Sequence, residues 1–293
     1  MESIGLTTQN EGTRGGSLEI MQVEEWKQYG WLVHGFSTRT GGVSPVYGGN
    51  SLNLGWTKED EAASVAENRQ RFLSAVGVGK PASVLVGVRQ VHSGIVRMVK
   101  KGDGAFEGKL QTAEGKAVLE GDGLITNVPG VLLGVGTADC VPVLVIDVKK
   151  KVVAAFHAGW RGTVARIVEC GVEMMGKEYG SRAEDLAAAV GPSIGACCYV
   201  VGDAVRTEFE TQFVYAEKLF SEGLATGEIR LNLWEANRRQ LLDAGVGEAR
   251  IALLGECTAC ARNEGGTLRY FSHRGEKGIT GRMLNVVGIA AEA

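Results

Sequence analysis

No apolar run in the 293-residue chain approaches the ~20 residues that a membrane-spanning helix requires. Residues Met1 to Glu11 lack both a basic stretch and an apolar core, so no secretion signal is expected and a cytoplasmic setting is. Long basic blocks are absent and the net charge is −3, which argues against nucleic acid as a partner. Proline is scarce, at five residues against 43 dispersed glycines, so turns and close backbone approaches are expected rather than low complexity. Histidine is limited to four positions, His34, His92, His157 and His273. There is no internal repeat and no linker. Six cysteines in a chain this long, without a signal, argue for reduced thiols, metal ligation or catalysis rather than disulfides.

What is present is concentrated between Gly134 and Gly162. Val141 to Ile146 and Val152 to Phe156 are short β-branched runs of strand length, joined by a polar link too short for a crossover. An antiparallel hairpin is expected. Centring its turn between Val148 and Lys149 sets Cys140 opposite His157, with Cα atoms about 4.5–5.5 Å apart. Beyond His157, Ala158-Gly159-Trp160-Arg161-Gly162 leads into a helical pattern with Thr163 as the expected N-cap. Val164, Ile167, Val168, Val172 and Met175 share one helical face. A strand, a glycine loop and a helix start form a layout that can meet an anion, with Arg161 adding charge.

The rest of the chain supplies a frame. Residues 1–17 read as a disordered or loosely packed tail, and 18–293 as one catalytic domain. Strands are expected at Leu32–Ser37, Ser83–Val88, Ile95–Val99, Asp122–Asn127, Leu186–Val190 and Ile251–Leu254. Thr38 to Pro45 reads as a loop, in which Arg39 beside two glycines could meet an anion. Thr57 with Asp60 reads as a weak capping pair ahead of a helix whose stripe is Ala62, Val65, Ala66, Arg69, Phe72, Leu73 and Val76. Further helices are expected at Asp203–Phe209 and from a cap at Asn232 to Ala244. Short strands, helices and an antiparallel centre favour a mixed α/β fold, with largely antiparallel sheets, over a doubly wound parallel sheet.

Three constellations could carry chemistry. His92, Cys140 and His157 would offer two imidazoles and a thiolate to Zn²⁺, leaving a fourth position for water or substrate. Cys257-x-x-Cys260 with Cys197 and Cys198 could form a Cys₄ site, but neighbouring cysteines rarely serve one ion without strain, and buried thiols are the simpler expectation. Alternatively Cys140 is a nucleophile with His157 or His92 as base and Asp139 or another carboxylate orienting it. Spacing does not separate the first chemistry from the third.

At these residues a family resemblance emerges. Arg89-Gln90-Val91-His92, Gly136-Thr137-Ala138-Asp139-Cys140-Val141-Pro142, Phe156-His157-Ala158-Gly159-Trp160-Arg161-Gly162, Gly191-Pro192-Ser193-Ile194-Gly195 and Phe271-Ser272-His273-Arg274 occur in family order. The chain resembles, over about residues 20–290, the family variously labelled polyphenol oxidase (laccase domain), peptidoglycan editing factor and purine nucleoside phosphorylase. That resemblance implies an α/β layered sandwich with flanking helices and a metal, usually zinc, at His92, Cys140 and His157. It also implies phosphorolysis of adenosine, inosine and methylthioadenosine and deamination of adenosine. The expected partners are then a small-molecule nucleoside and phosphate, with no nucleic acid or membrane.

Four histidines cannot build a blue copper centre together with a trinuclear cluster, although a single adventitious copper could occupy N/S ligands. On the nucleoside reading, Cys140, His157, Asp122 and Asp139 are the candidate catalytic residues, and Arg39, Arg161 and Arg274 the candidate phosphate contacts. The rival is a cysteine amidase-type hydrolase acting on a peptidoglycan precursor, with Cys140 as nucleophile.

Overall fold

The β-branched runs form two packed sheets, and the period-two alternation within each run decides which side chains lie between them. The computed structural model of the protein describes residues 6–13, 16–77, 83–223, 225 and 227–291. In chain order it opens with β1 (Leu6–Thr13), β2 (Gly16–Val23), β3 (Leu32–Ser37), β4 (Thr40–Ser44) and helix α1 (Ala62–Ala75). Then come β5 (Val84–Gly87), β6 (Val96–Val99), β7 (Gly123–Thr126), β8 (Val131–Thr137), β9 (Val141–Asp147) and β10 (Val152–Ala158). Helices α2 (Trp160–Val164) and α3 (Ile167–Tyr179) precede β11 (Leu186–Val190), β12 (Val200–Val201) and α4 (Asp203–Gln212). The chain continues with β13 (Phe220–Glu222), β14 (Ile229–Leu231), α5 (Leu233–Asp243), β15 (Ile251–Leu253) and β16 (Met283–Ile289).

One six-stranded sheet runs β1-β2-β3-β16-β8-β5 and the other β15-β11-β9-β10-β7-β6. Pairing is mostly antiparallel, as expected, with parallel pairs β5–β8, β6–β7 and β11–β15. In β9, Leu144 and Ile146 face the first sheet's Leu133 and Val135, while Val143 and Val145 face Val168 and Val172 of α3. Helix α1 packs on the outer face of the first sheet, with Phe72 against Leu132 and Val286. The result is a layered α/β/β/α sandwich. Contact is close enough that a Cβ at Gly171 of α3 would lie 2.1 Å from the Phe156 ring. Burying an aromatic of this kind contributes about 1.5–3 kcal/mol.

Several expectations are corrected. Residues 1–5, 14 and 15 of the expected tail lie outside the described residues, and Leu6–Thr13 is a strand paired with Gly16–Val23. Thr40–Ser44, expected as loop, is a short strand. Thr57 and Asp60 do not cap α1; they accept hydrogen bonds from Asn53, Tyr47 and Ser44 instead. Asn232 does cap α5, accepting from the Glu235 amide at 3.1 Å. Thr163 lies inside α2 and is not its cap, and Arg166 in the left-handed conformation (φ 57°) separates α2 from α3.

His34 of β3 is buried, its Nε2 accepting from the Val23 amide at 3.0 Å and its ring 5.1 Å from Trp26. Burial lowers its pKa to about 4. A histidine depressed on folding binds its proton more readily when unfolded. Its contribution is therefore fully present above about pH 6.5 and is lost as pH falls toward 4, about 3 kcal/mol in all. Urea midpoints measured across this interval should fall for the wild type and fall measurably less for His34→Gln; parallel slopes would refute this assignment.

Candidate active site

Strand β10 delivers His157 at its C-terminal end, and the hairpin link decides what faces it. Asp147 Oδ1 accepts the amides of Lys149 and Lys150, and Lys151 adopts φ 51°, so Val148–Lys151 forms a four-residue turn. The observed register pairs His157 with Pro142, not with Cys140. Cys140 lies two positions further along, and a two-residue offset keeps a side chain on the same face. It therefore still reaches His157 diagonally. Gly159 leaves the space this needs: a Cβ there would sit 2.9 Å from Cys140 Sγ and 3.2 Å from His92 Cδ2.

His92 comes from the loop after β5, and Asp122 holds it in place. The buried Asp122 carboxylate accepts the amides of Val91 (3.2 Å), His92 (3.0 Å) and Ser93 (2.6 Å) and the Ser93 hydroxyl (2.7 Å). This wrapping accompanies the left-handed backbone of His92, φ 58°. Asp122 Oδ1 also lies 2.8 Å from His157 Nδ1, while its carbonyl accepts the His157 amide at 2.7 Å. An ionised carboxylate only accepts, so Nδ1 carries the proton and Nε2 keeps its lone pair.

The ligand atoms of His92, Cys140 and His157 lie within 4.8 Å of one another. His92 is exposed, Cys140 half-buried and His157 buried, so the group is open on one side. Burial opposes charge on Cys140, but the His157 charge and hydrogen bonds from His157 and His92 prevail and bring the thiol down to about 6. Against its own burial, His157 is raised to about 9 by the Cys140 thiolate and Asp122. Asp122, though burial works the other way, is held well below the usual carboxylate range by His157 and Ser93. Two nitrogens and a thiolate at this separation match the donor set and span of a three-ligand zinc site with a free fourth position. A carboxylate on the far nitrogen of a ligating histidine is the usual support for such a site.

The three residues open into a cleft of about 700 Å³ that extends across the C-terminal ends of β5 and β8 toward α1. Gly87, Gly134 and Gly136 form part of its lining, and Gln90 locks its edge through a reciprocal amide pair with Gly136 (both 2.8 Å). Arg274 is on the cleft wall, its guanidinium donating to the Val200 carbonyl. Arg39 is elsewhere, ion-paired with Glu276 at 3.1 Å and 4.8 Å over the Phe271 ring. Arg161 is exposed, 4.2 Å over the Trp160 ring, and is not among the cleft residues. Asp139 is a buried tie point, accepting from Thr258 and Ser272 hydroxyls (2.7 Å each) and the Arg274 amide (2.6 Å).

Sequence reasoning did not single out four of the cleft cations: Lys116, Arg89, which pairs with Glu120, and the arginines Arg69 and Arg282. Arg69 donates Nε–H to the Leu54 carbonyl at 2.8 Å and lies 4.9 Å over the Trp56 ring. Burial lowers its pKa to about 10, so it stays charged at neutral pH. Arg282 donates to the carbonyls of Thr280 and Gly281. Among the described residues no carboxylate pairs with either. The signal was legible in the helix pattern, because Arg69 occupies a position in the stripe expected to be apolar.

Residues 33–290 match the family described as "Multi-copper polyphenol oxidoreductase laccase". The chain belongs to this family. Within the laccase-like family it is 38% identical over 259 residues to the purine nucleoside phosphorylase of Deinococcus radiodurans, covering 88% of this chain and 89% of that one. It is 37% identical over 229 residues to "Adenosine deaminase RL5" of an unknown prokaryotic organism, covering 78% and 85%. The crystal structure of YlmD from Geobacillus stearothermophilus superposes with a TM-score of 0.80 at 32% identity, covering 98% of this chain and 100% of that one. Named members of the laccase-like family are thus nucleoside-processing enzymes. The multi-copper part of the name finds no counterpart here: His34 is in the core, and only His92 and His157 join a metal-competent cluster among the described residues.

Proposed function

We propose that residues 18–293 act as one catalytic domain, a zinc-dependent purine nucleoside enzyme that phosphorolyses adenosine, inosine and methylthioadenosine and deaminates adenosine. The observation that carries the reading is a cluster of three potential metal ligands and a half-buried arginine without a carboxylate partner among the described residues, sharing one cleft. Phosphorolysis joins a phosphate oxygen to the anomeric carbon while the bond from that carbon to the purine nitrogen breaks, and the purine leaves after gaining a proton. Deamination adds water at the purine amino carbon and releases ammonia.

His92, Cys140 and His157 would hold the ion, and zinc bound there supplies a Lewis acid at the open face. Asp122 sets the tautomer and direction of His157 and the place of His92, acting as a positioning residue. Arg69 and Arg282, with Arg274 on the wall, supply the charge that binds and orients phosphate. Asp139 acts through the backbone, holding the Cys140 loop against Thr258, Ser272 and Arg274.

A second reading is favoured by one observation. Cys140, His157 and Asp122 line up as nucleophile, base and orienting carboxylate, with the thiol already shifted toward thiolate. That is the arrangement of a cysteine amidase-type hydrolase. Metal content separates the two, because a zinc-bound thiolate is a poor nucleophile.

The purified protein is expected to carry zinc in this site that is lost in Cys140→Ser. Hypoxanthine or adenine should be released from inosine or adenosine only when phosphate is present. Inosine should form from adenosine without it. A metal-free protein with a rapidly alkylated Cys140 and no nucleoside turnover would favour the amidase.

A further inference from the structure

We propose that Cys197, Cys198, Cys257 and Cys260 form a second, purely structural zinc site that staples together two loops of the cleft wall. The simpler expectation of buried thiols does not describe them: Cys257 is buried, Cys198 is half-buried, and Cys197 and Cys260 are exposed. Their four sulfurs nonetheless converge within 4.8 Å of one another. Zn–S bonds of about 2.3 Å in a tetrahedron place the sulfurs about 3.8 Å apart. Cys197 Sγ and Cys260 Sγ are 3.7 Å apart, the edge of such a tetrahedron. Four thiols gathered this closely, with two of them open to solvent, bury little apolar surface. Packing therefore does not account for their convergence.

The backbone around them is shaped for thiolates. The Gly195 amide donates to Cys257 Sγ at 3.2 Å, and the Ala259 amide, two residues on from Cys257, donates to the same sulfur. Amides directed at sulfur stabilise a thiolate ligand. The awkwardness of adjacent ligands is resolved by a tight turn. The amides of Cys198 and Tyr199 both donate to the Gly195 carbonyl, at 2.9 and 3.0 Å, curling the chain so that both sulfurs face one point. On the partner loop, Ala261 donates to the Cys257 carbonyl at 2.8 Å and curls Cys260 back toward Cys257. Four thiolates on a divalent ion carry a net double negative charge, and the Arg230 guanidinium donates to the Cys197 carbonyl at 2.9 Å beside them. A full set of four sulfurs leaves no position for substrate, so this ion serves structure and not catalysis.

The two loops matter to the cleft. A parallel bridge joins Ser193 to Cys257, and Thr258 returns a hydrogen bond to Ser193 while its hydroxyl holds Asp139, the neighbour of Cys140. Ile194 and Tyr199 line the cleft from the same stapled segment. The four sulfur ligands include none of the ligands of the candidate active site, so the two can fail separately.

The test is metal content of the intact, folded chain with a spectroscopic readout of the ligands. Wild-type protein should bind two equivalents of zinc, and Cys140→Ser and Cys198→Ser one each. Cobalt-loaded Cys140→Ser should show the intense visible bands and near-ultraviolet sulfur charge transfer of a tetrahedral four-sulfur site. Loss of these bands in the Cys140→Ser/Cys260→Ser double variant should accompany a lower melting temperature. Folded Cys140→Ser that binds no metal would overturn the proposal, as would iron at the four sulfurs or a disulfide among them by mass spectrometry. Should Cys198→Ser fail to fold, the cobalt spectrum of Cys140→Ser decides alone.

Discussion

Asp122→Ala is expected to abolish zinc binding at His92, Cys140 and His157 and to destabilise the fold by about 3–5 kcal/mol. Both effects come from one carboxylate. It accepts from three consecutive amides, one hydroxyl and one imidazole, and it is fully buried. Removing it strands several buried donors, each costing about 1–3 kcal/mol unless water replaces the oxygen. The left-handed turn at His92 loses the anion around which it is wound. His157 loses the acceptor that keeps its proton on Nδ1 and would sample the tautomer with Nε2 protonated, which cannot bind metal through Nε2. Asp122→Asn should be intermediate in stability, because its amide nitrogen replaces an acceptor with a donor facing other donors. Thermal melts and zinc analysis check this. A wild-type melting temperature with full metal would refute it, and metal loss at unchanged stability would confine Asp122 to the histidine.

The candidate cluster of His92, Cys140 and His157 was legible in the sequence, and the way these residues meet was legible only in part. Alternation has period two, so an error of two in the hairpin register left Cys140 and His157 on a common face. The turn was misplaced because its geometry depends on the Asp147 side chain, a local hydrogen bond that apolar periodicity does not encode. The mixed α/β class followed from the strand runs and the antiparallel centre, and the layered sandwich from the family resemblance. Its outer layer on the first sheet depends on how α1 is docked, which a pattern does not specify. Asp122 was expected among the catalytic residues. Its amide and imidazole partners arise from segments far apart in sequence, so its positioning role could not be read from spacing. Arg39 sits beside two glycines as an anion contact would, yet Glu276, more than two hundred residues away, claims it. The cysteines expected as buried thiols are only partly so, because the turn at Gly195 brings Cys197 and Cys198 to an exposed edge beside Cys260.

Arg69→Met is expected to lower phosphorolysis by about 10²–10³-fold, mainly through a higher KM for phosphate, while adenosine deamination changes by less than about threefold. The split follows from where the charge sits. Arg69 projects from α1 into the cleft, half-buried against Trp56, charged at neutral pH and without a carboxylate partner among the described residues. The Leu54 carbonyl and the Trp56 ring offset part of the desolvation of a cation held there, but no carboxylate among the described residues neutralises its charge, so an anionic ligand gains that interaction. Deamination brings only neutral water and a neutral nucleoside to the site, and has no use for that charge. Stability gives an independent check. Methionine matches the aliphatic stem and removes a half-buried charge, but leaves the Leu54 carbonyl without its donor, and these effects offset to within about 1–2 kcal/mol. The variant should therefore melt close to the wild type while losing phosphate dependence. Equal losses in both reactions would mean that Arg69 shapes the cleft as a whole. Unchanged phosphorolysis would move the phosphate to Arg282 and Arg274, whose guanidiniums donate, among the described residues, only to backbone carbonyls.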